Sequence, residues 1–330
     1  MEIRRAIQLT GGSSYSVTLP KEWVEHAGLK KGSTVIMKPT EDGGINIYPE
    51  KGYEKKISEV EIPLTADISK LIVGAYLYGY GLIRIVSKTP ISDTQFTDIR
   101  KSIRGLAGAE IVHETAEKIE VQIVLDKEVV APEKLLRRQY DLVLAMVENA
   151  VEAFVTRNTS LARIVVQRDE EVDRLYFTLV RVLRSAVIDP TLAKRLNVSP
   201  LSLLDFRVAA KFMEDAGDQA AEIAKEILRT TKLVGEELVN EFKAIAGIVV
   251  SMGTEPLEAF FSHDLGKTNR VTEKRREFLR RSEPFLRKIS GKENSAVLYK
   301  LYFHLARVCE NLADIAELSL PFKTSSTTQI

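Results

Sequence analysis

At 330 residues, with a hydrophobic share of 45% and a charged share of 28%, the chain has an ordinary globular composition and room for two or three domains of about 100 to 200 residues each. A net charge of +1 excludes a polyanion-binding surface spread over the whole molecule and leaves any nucleic-acid contact to a local patch. One cysteine, Cys309, excludes an internal disulfide framework, and its apolar helix neighbours mark it as a packed thiol. No uninterrupted apolar run approaches the roughly 20 residues of a membrane span, and the start Met-Glu-Ile-Arg-Arg lacks the apolar core of a secretory signal. A cytoplasmic protein without membrane insertion is expected.

Residues 3–9 and 15–19 read as short strands around Gly11-Gly12-Ser13-Ser14, and Pro20 opens a helix over 21–27 that Gly28 ends. Strands follow at 35–38 and 45–48 around Asp42-Gly43-Gly44. A fragment of this size, residues 1–50, leaves much of its apolar surface wet, so a second copy is expected to complete it. The first 38 residues carry Arg4, Arg5, Lys21, Lys30, Lys31 and Lys38 against Glu2, Glu22 and Glu25, a mild basic excess. The run Gly12-Ser-Ser-Tyr-Ser-Val-Thr-Leu-Pro-Lys-Glu-Trp23, with Gly28-Leu-Lys-Lys-Gly32, resembles the AbrB-type swapped-hairpin domain over residues 3–49. That resemblance implies a dimeric β-barrel of interlaced hairpins and a basic DNA-binding face, with Arg4, Arg5 and Lys21 mapped to phosphate contacts. The residues themselves also allow a hairpin that only dimerises the protein, its Lys and Arg forming a solvated rim.

Beyond the charged linker Lys51-Gly-Tyr-Glu-Lys-Lys56, strands are expected at 60–64, 82–86, 111–113 and 119–125, with helices at 67–79 and 93–106. This order describes a small α+β domain over 59–130, a sheet with helices on one face. Gly74, Gly79 and Gly81 lack the spacing of a phosphate loop, and His113 has no metal-ligating neighbours, so it reads as a surface or half-buried histidine.

The remainder, 132–320, is all-α: helices are expected at 132–156, 160–188, 200–230, 236–251, 255–289 and 293–318, grouped as two tandem three-helix bundles, with 321–330 a disordered tail. Ser160 and Thr254 are candidate N-caps. Three acidic pairs stand one helical turn apart: Asp169 and Asp173, Glu214 and Asp218, Glu310 and Asp314. Like charges at this spacing cost a helix roughly 0.2 to 0.5 kcal/mol per pair, and a shared cation removes that cost. Oxygen donors without nearby His or Cys suit Mg²⁺, Mn²⁺ or oxidised iron and argue against structural zinc.

Laying Glu214 and Asp218 on Glu310 and Asp314 makes the two bundles an internal repeat. The words Arg168-Asp-Glu-Glu-Val-Asp173-Arg-Leu175 and Met213-Glu-Asp-Ala-Gly-Asp-Gln-Ala220 resemble signatures of the PhoU family over residues 135–318. The resemblance implies a negative regulator in phosphate uptake and signalling that binds metal through Asp169, Asp173, Glu214 and Asp218, with Glu310 and Asp314 as the second repeat's pair. Thr268 and Thr272 stand where Asp169 and Asp173 do in the first repeat, so a second site would be weak or empty, with Asp264 the available substitute. The joining of a PhoU-like body to an AbrB-like head, an archaeal type of architecture, implies a phosphate-responsive, DNA-binding transcriptional regulator. The alternative is an adaptor that binds no DNA and inhibits a phosphate transporter or signalling kinase, its barrel serving only dimerisation. An enzyme is not expected: there is no Ser-His-Asp wording, no phosphate loop and no paired histidines among His26, His113, His263 and His304.

Overall fold

The computed structural model describes residues 3–39, 43–50, 58–125, 131–230, 234–292 and 295–318. The expected tail at 321–330, the linker at 51–56 and Asp42 of the second turn lie outside the described residues. The chain divides into two compact units, Met1–Ser58 and Glu59–Ile330.

The first unit holds two hairpins and one short helix. Strand β1 (Gln8–Thr10) pairs antiparallel with β2 (Ser14–Ser16), Leu9 opposite Tyr15. Gly11 and Gly12 make the reversal at φ of 67° and 82°, a region open to glycine at little cost. Helix α1 (Lys21–His26) starts after Pro20, and β3 (Val35–Pro39) pairs antiparallel with β4 (Ile45–Pro49). The strand expected at 3–9 is shortened because residues 3–7 find no strand partner among the described residues. No described residue of this unit is buried. Ile7, Leu9 and Tyr15 are 71%, 63% and 75% exposed, apolar surface of the kind that calls for a covering partner.

The second unit begins with the small domain. Strand β5 (Glu59–Pro63), helix α2 (Ile68–Tyr78) and strand β6 (Leu82–Val86) make a parallel crossover, and α3 (Asp93–Arg104), β7 (Ala109–Glu114) and β8 (Lys118–Ile123) complete a sheet of order β5-β6-β8-β7. Alternation places Ile83, Ile85, Ile119 and Val121 against Ile72, Tyr76, Ile99 and Ile103 of the helices. Arg84, on the opposite face, meets Glu120 at 3.1 Å and Glu59 at 2.5 Å. Ser92 and Gln95 form a reciprocal cap at the start of α3. His113 is exposed beside a bulge in β7.

Eight helices among the described residues build the body: α4 (Pro132–Thr156), α5 (Thr159–Ile188), α6 (Pro190–Arg195), α7 (Pro200–Arg229), α8 (Glu236–Ser251), α9 (Glu255–Ser262), α10 (Leu265–Ile289) and α11 (Ser295–Glu317). Two differences from the six expected helices have local causes. Asp189 accepts from the amides of Thr191 and Leu192, so the Asp-Pro step starts a new short helix as well as ending α5. His263 enters the left-handed region at φ 51°, and Asp264 caps α10 through the amides of Gly266 and Lys267, dividing the span expected at 255–289. Asn158, one turn ahead of the amide of Leu161, takes the capping role expected of Ser160, and Thr254 makes no side-chain cap.

Helices α4, α5 and α7 pack on one another as one bundle; α8, α10 and α11, with α9, form the second, and α7 lies against α11. One hydrophobic core runs through both. The stretch Glu236–Ser262 is long and apolar enough by composition to cross a membrane, which the sequence reading did not anticipate. It is interrupted between α8 and α9, and its Phe242, Ile245, Val249, Leu257 and Phe260 are buried in this core, so its apolarity serves packing. Cys309 is buried there too, and burial pushes its thiol up to about 12.

The small domain is held to the body by Arg181, 2% exposed on α5. Its guanidinium donates to the carbonyls of Tyr76, of Tyr80 at 2.9 Å and of Gly79 at 3.4 Å, acceptors at the C-terminal end of α2.

The uncovered hairpin of the first unit makes one outcome testable. Light scattering on the full chain is expected to report a dimer that Leu9→Asp converts to monomer, while Lys31→Asp, at a polar exposed position, leaves the mass unchanged.

Candidate metal centre

The acidic turn of α5 and that of α7 face each other because the two helices approach closely. At Gly217 a methyl group would meet Val172 Cγ1 of α5 at 3.1 Å and Val143 Cγ2 of α4 at 3.4 Å, tighter than ordinary contact. Ala216, Ala220, Ala221 and Ala224 continue this small buried face of α7. Helical spacing then sets Glu214 and Asp218 on one side of α7, and Asp169 and Asp173 on one side of α5.

All four carboxyls are partly buried, and all four are held above their ordinary range. Burial, followed by the charges of Asp218 and Asp173, raises Asp169 to about 6. Burial and then Asp218 raise Asp173. Burial raises Glu214 to about 7 against the opposing pull of Lys211, with Asp218 and Asp215 adding to the rise. Asp218 is raised mainly by burial, with Asp215 and Glu222 adding and Lys211 and Lys225 opposing. Mutual repulsion across the α5 and α7 faces is thus part of the site's electrostatics. The Oδ1 atom of Asp169 is buried without a hydrogen-bond partner. An orphaned buried acceptor costs about 1 to 3 kcal/mol and more when charged, and a cation would satisfy it. Carboxylate oxygens are the donors a hard metal ion takes, and among the described residues Glu214 and Asp218 are brought within ligand range together with Asp215, a group that does not include Asp169 or Asp173.

Two residues of this site escaped the sequence reading. Asp215 stands with Glu214 and Asp218 in a group whose carboxylate oxygens lie within 4.8 Å of one another. Lys211 bridges Glu214 and Asp215, the latter at 2.7 Å. The i, i+4 rule that found Glu214 and Asp218 passes over Asp215, which is offset by one residue; the i−3 and i−4 positions of Lys211 were the available signal.

The second repeat is arranged differently. Arg275 of α10 meets Glu310 at 2.7 Å, so that carboxylate already has a cation from within the chain. Asp314 is raised by burial, then by Glu310 and Glu317, with Arg275 and Arg307 opposing. Thr268 Oγ1 donates to the Ala316 carbonyl at 3.2 Å, and Thr272 Oγ1 to the Thr268 carbonyl at 3.0 Å, so both stand as hydrogen-bonding groups where the first repeat has Asp169 and Asp173. Asp264, the expected substitute ligand, is engaged as the cap of α10. In the first unit, Arg4, Arg5 and Lys21 are exposed, and Lys21 pairs with Glu25 at 3.6 Å on the same helix.

Residues 136–227, spanning the first bundle with both acidic turns, match the model of the PhoU domain. Residues 8–55 match the family described as antidote-toxin recognition MazE, bacterial antitoxin, in agreement with the swapped-hairpin resemblance of the first unit. The chain is similar, at 27% identity over 150 residues, to the phosphate-specific transport system accessory protein PhoU homolog of Rhizobium meliloti (strain 1021). That alignment covers 44% of this chain and 60% of the relative, so the chain spans less than two thirds of the relative's length. PhoU from Pseudomonas aeruginosa matches with a TM-score of 0.50 at 20% identity, over 58% of this chain and 95% of that one, a likeness of fold. The phosphate transport system regulatory protein PhoU from Streptococcus pneumoniae matches at 0.48 and 19%, over 60% and 96%.

The raised carboxyls give the metal-free first bundle a pH signature. An acid whose folded pKa exceeds its unfolded value, about 4 for these side chains, binds more protons when folded between the two. Its stabilising contribution is complete below the unfolded value and is lost as pH rises through the folded one. In chelator-treated protein, thermal unfolding between pH of about 4 and 7 is therefore expected to fall more steeply with pH in the wild type than in Asp169→Asn. Superimposable slopes would remove the electrostatic account.

Proposed function

We propose that the protein is a metal-binding regulator of phosphate uptake or phosphate signalling, acting in the cytoplasm as a homodimer. The observation that carries this reading is the pair of facing acidic turns within a PhoU domain, with a buried, unpartnered oxygen on Asp169. The curated relative named for phosphate transport supports the direction of that reading. Asp169, Asp173, Glu214 and Asp218 would hold the ion, which is magnesium, manganese or iron in class because the donors are carboxylate oxygens. A cation held this way supplies open coordination positions suited to phosphate oxygens. Around it, Lys211 ties up Glu214 and Asp215, and Lys225 stabilises the charged forms of Asp169 and Asp218. Glu310 and Asp314 form a second, weaker site in this proposal, since Arg275 competes with any ion for Glu310.

Elemental analysis tests the site. Protein purified without chelator is expected to carry at least one of these metals, and an Asp169→Asn, Asp218→Asn double variant to lose most of it. Equal content in both proteins would sink the assignment.

The regulator reaches its target in one of two ways. In the adaptor reading it binds a phosphate transporter or signalling protein, and the first unit only joins two copies, which the exposed apolar residues Leu9 and Tyr15 of the first hairpin favour. In the transcriptional reading Arg4, Arg5 and Lys21 contact DNA phosphates, which their exposure favours. Each phosphate contact contributes about 0.9 to the slope of log affinity against log salt. DNA binding with a slope that flattens by about 2 in an Arg4→Ala, Arg5→Ala variant would establish the transcriptional reading; absence of binding at low salt would leave the adaptor.

A further inference from the structure

Where the small domain meets the body, α2, α3, α4 and α5 enclose a cleft of about 1530 Å³, continuous in its lining residues with a smaller hollow of about 470 Å³ at the end of α3. Arg100 and Arg104 of α3 and Arg174 of α5 line both. Arg100 contacts Glu114 at 3.0 Å, whereas neither Arg104 nor Arg174 has an ion-pair partner among the described residues. Glu110 is the one carboxylate lining the smaller hollow. Gly108, which also lines it, sits at φ +72°, and a Cβ there would strike the Val124 carbonyl oxygen at 2.4 Å, so the backbone is held in a form only glycine adopts. The backbone amides of Ala107 and Gly108 donate to no described residue. Convergent guanidinium groups beside two free successive amides form an anion seat. The larger cleft adds an apolar wall from Val73, Leu175 and Phe177. Its volume exceeds what a free phosphate ion needs and suits a small organic ligand.

We propose that this cleft binds a phosphomonoester of nucleotide size. Its phosphoryl group sits on Arg100, Arg104, Arg174 and the amides of residues 107 and 108, and its organic part lies along Val73, Leu175 and Phe177. Arginine suits this role because its planar fork meets two phosphoryl oxygens at once. The site goes beyond the regulator reading; its recognition groups are separate from the α5 and α7 carboxylates, although Asp173, with Asp98, Glu170 and Glu171, lines the larger cleft.

Calorimetry on chelator-treated, full-length protein tests it, using AMP, phenyl phosphate, adenosine and inorganic phosphate as probes. Chelation keeps its failure distinct from failure of the metal site. AMP and phenyl phosphate are expected to bind, adenosine not to, and inorganic phosphate to bind more weakly than either. An Arg104→Ala, Arg174→Ala variant is expected to weaken AMP binding by about tenfold or more, the scale of a lost charged hydrogen bond. Arg280→Ala on α10 leaves it unchanged. In the wild type, AMP is expected to protect Arg104 and Arg174 from phenylglyoxal, read by mass spectrometry, which keeps the test intact if the double variant fails to fold. Three outcomes overturn the proposal: no binding or protection by either ester at millimolar concentration; inorganic phosphate matching AMP; or Arg280→Ala losing as much as the double variant.

Discussion

The closeness of α5 and α7 is the constraint on which the rest of the body depends. Gly217 lacks the methyl group that Val172 and Val143 would repel, and the alanines around it keep the same face flat. Dispersion and burial gained across that face hold four carboxyls nearer to one another, and farther from water, than their charges favour. The cost appears as carboxyl groups that hold protons well above their ordinary range. A packing decision made by apolar residues thus creates an electrostatic demand at the acidic turns, one that protons, Lys211 or a metal ion can answer.

The two bundles answer that demand differently. In the first, Lys211 reaches Glu214 and Asp215 from its own helix, and Asp169 keeps an oxygen without a partner. In the second, a neighbouring helix supplies Arg275 to Glu310, and threonines replace one acidic turn with hydroxyls that bond to backbone carbonyls. An internal cation on a flexible side chain and an internal cation delivered across a helix interface have different consequences for a competing ion: the guanidinium is delocalised and always charged, and it holds its carboxylate by directed bonds.

Arg181 connects this chemistry to the small domain. It lies on α5, two turns and more beyond Asp173, and its guanidinium closes the end of α2. Any rearrangement of α5 would have to break these buried bonds or carry α2 with it, since an unpaired buried guanidinium is costly. The cleft between α3 and α5 is lined in part by residues of the same helix α5 that carries Asp169 and Asp173.

Much of this was legible along the chain because it is local. The βαβαββ order follows from periodicity and punctuation, and the i, i+4 carboxylates follow from helix geometry, as do the uncovered hairpins from their length. Asp215 and Lys211 were not legible as site residues, since an offset of one residue reads as solvated charge until the helix face is known. The break at His263 and Asp264 was hidden inside a continuous helical pattern, because a left-handed residue followed by an Asx cap leaves the apolar spacing nearly intact. The sequence by itself determined most of the strand and helix segments and which carboxylates share a turn, since those depend on neighbours within a few residues. Only the tertiary structure decided that Asp169 faces Asp218, that Arg275 holds Glu310 and that Arg181 ends α2, because each joins groups far apart in the chain through packing that no local pattern encodes.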